Sequence, residues 1–425
     1  MIFALIVVPV LGLFFGVHRY LWCRLVRDTT TPGSRPRRAG TAAAFVLPLT
    51  ALAAPLAGRA GAPFPLQQAL AWPGYLWLAL VLYLTLALLV GEVVRAVGLW
   101  ALRGREPDGA TPPAAAVPAP APSPDPPRAP SPSAAPTLLP PRTPALPPLA
   151  VPPRRLFLAR AVAAGASLAA TAAVGYGTAT TLRGPVVKRV TIPLAKLPRA
   201  AHGFRIAVVS DIHLGPILGR AHTRRIVETI NRTQPDLVAI VGDLVDGSVA
   251  DLAPATEPLR GLRSRHGAFF VTGNHEYYSG AAPWVDHVRE LGIHPLENAR
   301  TELPGFDLAG VNDVTGQTEH AGPDYDLALG GRDPSRAVVL MAHQPVTIHD
   351  TVRFGVDLQL SGHTHGGQMW PFTYVVAATN PTVAGLKRYG DTQLYVTRGA
   401  GTWGPPVRLG APPDITVVEL AALRA

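Results

Sequence analysis

The sequence predicts a two-part protein: α-helical membrane segments in the N-terminal part and an α/β domain over residues 186–425. Three observations support this. Long apolar runs are confined to the first 176 residues. From Val186 onward, short β-branched runs alternate with helical stretches such as residues 220–231 and 282–291. Five of those short runs end directly in Asp, Asn or His, placing polar groups along one rim of a sheet, where α/β proteins build their sites.

The membrane region is expected over residues 1–105. Residues 1–17 form an unbroken apolar run near the lower length limit for crossing a bilayer. Residues 41–58 form a second, interrupted by Pro48 and Pro55, and residues 75–94 a third, with only Glu92 near its end. A fourth, Ala-rich run spans 156–176 and contains Arg160. The second and fourth also fit a buried or interfacial helix. Orientation follows from basic residues. Arg19, Arg24, Arg27, Arg35, Arg37 and Arg38 face a single Asp28 between the first two runs, which sets that segment in the cytoplasm. Arg95, Arg103 and Arg105 return the chain to the cytoplasm after the third run. Four alternating crossings then leave the α/β domain extracytoplasmic, in a multi-pass protein of the cell membrane.

Residues 106–153 hold 19 of the 46 prolines, mixed with Ala and Ser, so they cannot bury a core and read as a disordered, extended linker. Residues 154–178 allow two readings. Arg154 and Arg155 either flank a fourth transmembrane helix or begin an internal twin-arginine-like export signal. Both send the following domain to the same side.

The net charge of +10 suggests a nucleic-acid binder until it is divided by region. Residues 1–185 carry 16 Lys+Arg against 5 Asp+Glu, whereas residues 186–425 carry 22 against 23. A duplex-binding domain needs a basic face, so no nucleic-acid partner is expected. One cysteine, Cys23, excludes an intramolecular disulfide.

The five strand-end blocks are Asp211-Ile212-His213, Gly242-Asp243-Leu244-Val245-Asp246, Gly273-Asn274-His275-Glu276, Ala342-His343-Gln344-Pro345 and Gly362-His363-Thr364-His365-Gly366-Gly367-Gln368. They follow the runs 206–209, 237–241, 269–271, 338–341 and 356–360. Imidazoles, carboxylates and one amide, without thiols, make the donor set of a pair of first-row divalent metals. A lone Asp or His at a strand end is ordinarily a cap or a surface residue. The ordered set is what carries the reading.

In that order the blocks resemble the calcineurin-like metallophosphoesterase superfamily, over residues 186 to the C-terminus. The tail Gly399-Ala400-Gly401-Thr402-Trp403-Gly404-Pro405-Pro406-Val407-Arg408 resembles a membrane-associated bacterial branch of it. The resemblance implies two packed mixed β-sheets flanked by helices. It also implies a metal-dependent phosphoric ester hydrolase, a phosphodiesterase or phosphomonoesterase, using two divalent ions (Mn, Fe or Zn). Asp211, His213, Asp243 and His365 would bind one ion. Asp243, Asn274, His343 and His363 would bind the other, and a metal-activated hydroxide would attack the phosphorus. His275 would be the catalytic residue at the leaving group, with Asp246 and Glu276 orienting ligands. Gly366 and Gly367 would turn the backbone tightly, and Tyr277 and Tyr278 would line the cleft or pack at its rim. The other eight histidines read as surface or packing residues. The expected partners are the bilayer and a phosphoester substrate, with lipid-linked or cell-envelope esters favoured by the tether. A non-catalytic metal-binding scaffold and a nuclease are the competing readings.

Overall fold

A computed structural model describes residues 2–103 and 154–423. The proline-rich segment, and with it the linker expectation, lies outside the described residues. Four long helices come first: α1 (Ile2–Trp22), α2 (Arg35–Arg59), α3 (Phe64–Arg103) and α4 (Arg154–Arg183). Each expected apolar run falls inside one of them. Among the described residues, three helices are long and apolar enough to cross a membrane: Arg35–Arg59, Phe64–Val97 and Arg155–Arg183.

Small side chains let the helices approach. Ala51, Ala54, Ala71, Ala79, Ala166 and Ala170 are buried, and a Cβ on Gly74 would collide with Ala54 and the Thr50 carbonyl. At one level of the bundle, Glu92 pairs with Arg24 at 2.6 Å and Arg95 at 3.0 Å and accepts from the Tyr20 hydroxyl at 3.2 Å. Arg160 donates to the Thr29 carbonyl at 3.0 Å on the same side. At the other level, Tyr75 packs on Gly404 and the Gly177 carbonyl accepts from the Arg408 amide at 3.0 Å. The two levels are separated by ~26 Å of helix in both α3 and α4, close to the thickness of a hydrocarbon core. The α/β domain and the arginine-rich segment therefore sit at opposite ends of the bundle.

The domain contains strands β1 (Val186–Leu194), β2 (Phe204–Val209), β3 (Leu237–Val241), β4 (Ala268–Val271), β5 (His294–Pro295), β6 (Ala299–Leu303), β7 (Phe306–Gly310), β8 (Ala337–Met341), β9 (Leu358–Ser361), β10 (Gly385–Tyr389), β11 (Thr392–Val396) and β12 (Asp414–Ala422). Its helices are α5 (Arg220–Arg232), α6 (Val249–Thr256), α7 (Asn274–Ser279), α8 (Ala281–Glu290), α9 (Tyr325–Leu329), α10 (Ile348–Thr351) and α11 (Phe372–Thr379). The strands form two six-stranded mixed sheets, ordered β1-β12-β2-β3-β4-β5 and β10-β11-β9-β8-β7-β6.

The two-residue alternation of each strand divides its side chains between two cores. Ile206, Val208, Ala239 and Val241 meet Leu308, Val339, Met341 and Leu360 between the sheets. Ala207, Val209, Val238 and Ile240 face outward onto Ile226 and Ile230 of α5 and Trp284 and Val288 of α8. Parallel register aligns the strand ends: Val209 pairs with Ile240 and Val241 with Val271 in one sheet, and Met341 with Leu360 in the other. The run over 356–360 pairs only from Leu358. Before it, Gly355 turns at φ 64° and the Asp357 carboxylate caps the Val338 amide at 2.9 Å.

Candidate metal centre

The strand-end blocks converge where the two sheets meet. The first sheet contributes Asp211 and His213 after β2, Asp243 after β3, and Asn274 and His275 at the start of α7. The second contributes His343 after β8 and His363 and His365 after β9. Donor atoms of Asp211, His213 and His365 lie within 4.8 Å of one another, as do those of Asp243, His343 and His363. Asn274 joins the second group, its Oδ1 standing 3.0 Å from His363 Nδ1. His275 reaches the same centre, grouped with His213 and Asp243.

Backbone strain concentrates at these positions. Asp211, His213, Asp243, His363 and His365 all have φ between 47° and 71°, five of the nine described non-glycine residues with positive φ. Such conformations cost of order 1–3 kcal/mol each and persist where the surrounding structure enforces them. Hydrogen bonds across the rim do so here: Asp211 N to Gly242 O at 3.1 Å, His213 N to Asp243 O at 3.1 Å, and His363 N to the Asp211 carboxylate at 3.0 Å. Gly242 (φ 76°) lets β3 turn against the next block, since a Cβ there would sit 2.6 Å from His343 Nδ1. Gly366 and Gly367, at φ 63° and 84°, make the turn after His365.

Carboxylates outside the cluster hold it in place. Asp246 Oδ1 stands 2.8 Å from His213 Nδ1 and 2.6 Å from His275 Nδ1, which directs the Nε2 of each ring away from it. Glu276 accepts from the amides of Gly273 (2.6 Å), Leu244 (2.7 Å) and Asp243 (3.0 Å), tying two blocks to one carboxylate. Tyr278 is exposed and its ring lies 5.3 Å edge-on from His275. Tyr277 is half-buried and donates to the Ala321 carbonyl at 3.0 Å, so it packs at the rim.

The electrostatics follow from burial and proximity. Burial opposes charge on Asp243, but the His343, His213 and His275 rings hold its carboxyl far below the usual range. Burial likewise opposes charge on His213, yet Asp246, Asp243 and Asp211 raise it to about 9. Asp246 is held down at about 2, against burial, by His213 and His275. Burial and the neighbouring Asp243 charge push Glu276 up to about 7. Burial, reinforced by Arg408, drives His365 well below its ordinary value.

The donor set fits divalent cations. His343 Nδ1 donates to the Val241 carbonyl at 2.8 Å, which turns its buried Nε2 towards Asp243 Oδ2 at 3.1 Å. Burial opposes charge on this ring, yet Asp243 raises it well above its ordinary value. An imidazole nitrogen facing a carboxylate at this distance calls for a positive charge between them, a proton or a metal ion.

Two residues without an assigned role from sequence shape the site. Arg408 is 1 % exposed and, among the described residues, forms no ion pair with a carboxylate. It donates to the carbonyls of Gly401, His365 and Arg398, and Nη2 donates to His365 Nδ1 at 3.0 Å. A guanidinium only donates, so His365 Nδ1 accepts and ligation through Nε2 requires the proton on Nε2 to leave. Gln368 holds the loop that carries Arg408, donating to the Trp403 and Pro405 carbonyls and accepting from the Trp403 amide, all at 3.0 Å. Both lie in blocks already singled out, but nothing in a single sequence says that a buried arginine stands behind a particular imidazole.

The family model described as calcineurin-like phosphoesterase matches residues 204–367. An uncharacterized metallophosphoesterase of Bacillus subtilis is 32% identical over 281 residues, 63% of this chain and 97% of that protein. The chain belongs to the calcineurin-like phosphoesterase family. A transmembrane protein with metallophosphoesterase domain from Danio rerio is 38% identical over 259 residues, 58% of this chain. An uncharacterized metallophosphoesterase of Helicobacter pylori is 39% identical over 242 residues, 56% of this chain. The chain spans 59% and 65% of the lengths of these last two relatives. The matched domain is joined, in this chain, to three helices long and apolar enough to cross a membrane.

Proposed function

We propose that the protein hydrolyses a phosphoester at the extracytoplasmic face of a membrane, using two divalent ions. Asp211, His213, Asp243 and His365 would hold one ion; Asp243, Asn274, His343 and His363 would hold the other. The observation that carries this reading is the pairing of donor groups on either side of Asp243, with His343 Nε2 facing its carboxylate at 3.1 Å. Such a pair, when bound, supplies a nucleophile at neutral pH and offsets the charge of the phosphoryl oxygens.

The chain's own residues do the rest. Asp243 would serve both ions, because its carboxylate stands between both donor groups. Asp246 holds His275 by Nδ1 and leaves Nε2 for the leaving-group oxygen, a general-acid role. Its ring is 14% exposed, and Tyr278 and Trp403 flank it edge-on at 5.3 and 5.9 Å, narrowing water access around that nitrogen. Glu276 keeps the Asp243 and Gly273 backbones in register. The N/O donor set suits Mn, Fe or Zn. The separation of the arginine-rich level from the domain by about a bilayer core supports the extracytoplasmic orientation.

The test is an assay of the purified full-length protein, stripped with chelator and repleted with each metal, on phosphomonoesters and phosphodiesters. Hydrolysis restored by a first-row divalent ion is expected; equal turnover in chelator would exclude the metal mechanism. For orientation, a reporter after Leu420 should read extracytoplasmic, and a cytoplasmic signal there overturns that part.

A further inference from the structure

Helix α11 is unusual for a water-facing surface. Its sequence, Phe-Thr-Tyr-Val-Val-Ala-Ala-Thr, contains no charge, and none of its residues is buried. Phe372, Tyr374 and Val375 are exposed, as are Trp370 just before the helix and Trp403 on the adjoining loop. A helix without charge whose exposed side chains are mostly apolar belongs in a protein core or against lipid, and this one is not in the core. Continuity with the helix bundle identifies its surroundings. Met369, immediately upstream, packs with Val407 and Leu409 into the apolar cluster formed by Leu84, Leu88 and Val174 of α3 and α4. The patch therefore begins where the spanning helices leave the α/β domain, and Trp and Tyr are the residues enriched at that depth.

From this placement we infer that α11 and its flanking tryptophans lie in the membrane interface, and that the metal centre takes its phosphoester from a lipid headgroup in that leaflet. The inference rests on the phosphoesterase reading above and names its substrate class. The connection to the site is short. Thr373 Oγ1 donates to the Gly366 carbonyl at 3.1 Å, directly after His365, and Trp403 borders His275. A headgroup standing in the interface beside α11 thus stands at the mouth of the cleft, while its acyl chains remain in the bilayer.

The experiment uses the full-length protein in phosphatidylcholine–phosphatidylglycerol vesicles. An environment-sensitive label at Val375→Cys, in a Cys23→Ser background, should be quenched by lipids carrying a spin label near the headgroup. A label that stays in water, or that cross-links to the same position on a second copy, overturns the membrane seating. In parallel, Tyr374→Asp with Val375→Asp should lower turnover of a long-chain alkyl nitrophenyl phosphate in the vesicle by roughly tenfold or more, and leave soluble bis-nitrophenyl phosphate within about twofold. Equal effects on both esters, or none, contradict the inference. Hydrolysis of the soluble ester without any of the lipid-borne one refutes the lipid substrate and leaves the phosphoesterase reading intact. If neither ester is cleaved with metal present, the phosphoesterase reading fails, and the quenching alone decides where α11 lies.

Discussion

The two sheets contribute differently to the centre. The first supplies Asp211, Asp243 and Asn274 with one imidazole, His213; the second supplies only imidazoles, His343, His363 and His365. All the oxygen donors come from one half of the sandwich and all but one of the imidazole donors from the other. Neither half holds a complete set, so the centre exists only when the core between the sheets is formed. Metal affinity and sheet packing are therefore coupled, as expected where no preformed site exists in the unfolded chain. The two halves are also fixed differently. Carboxylates (Asp246 and Glu276) brace the first, whereas a backbone carbonyl (Val241) and a cation (Arg408) brace the second.

Breaking the charged half should have the largest effect. Asp243→Asn replaces the shared carboxylate with a neutral amide and should abolish nearly all metal-dependent hydrolysis, checked by turnover of a nitrophenyl ester after metal repletion. Next is His275→Ala, which should retain metal but lose roughly 10²–10⁴-fold in kcat. That loss should be smaller for good leaving groups; equal losses for good and poor ones would remove the acid role. In the imidazole half, Arg408→Met should weaken metal affinity by about 10–100-fold, the range for a group that orients a ligand. Arg408→Lys should not restore it, because one ammonium cannot replace a fork that reaches four carbonyls and a ring.

The smallest effect lies behind the first sheet. His222 on α5 is buried, among the described residues neither ring nitrogen meets a partner in good hydrogen-bond geometry, and burial with Arg225 nearby depresses it to about 4. A histidine depressed below its ordinary 6.5 stabilises the fold at pH above that value. The contribution is lost as pH falls from about 6.5 towards 4, and is on the order of 3 kcal/mol in full. Urea unfolding of His222→Gln should show a flatter pH profile over that window, with activity at neutral pH unchanged.

The legible parts of the fold were those with strong local signals. Buried strands such as Leu237–Val241 are unbroken apolar runs, and their ends carry the chemistry. Strands β1 and β10 gave little signal because they are largely exposed: Lys188 and Arg189 interrupt one, Lys387 and Arg388 the other. Their pairing is set by partners distant in sequence, β12 for β1. The ligand blocks were visible from order alone. The positive φ angles of five of those residues were not, because no local residue preference calls for them; contacts across the two sheets impose them. Arg408 was visible as part of a tail and invisible as the donor to His365, a contact between residues 43 positions apart. Glu92, an isolated charge in the sequence, is explained by Arg24 and Arg95.

The central claim is that one centre, assembled from both sheets, holds two ions. Its most direct test is the metal content of the purified full-length protein beside single variants from each half, Asp243→Asn and His343→Ala, with folding verified for each. The account predicts two equivalents of a first-row divalent ion per chain in the unaltered protein and fewer in both variants. Two equivalents retained in either variant, or one at most in the unaltered protein after repletion, would contradict it.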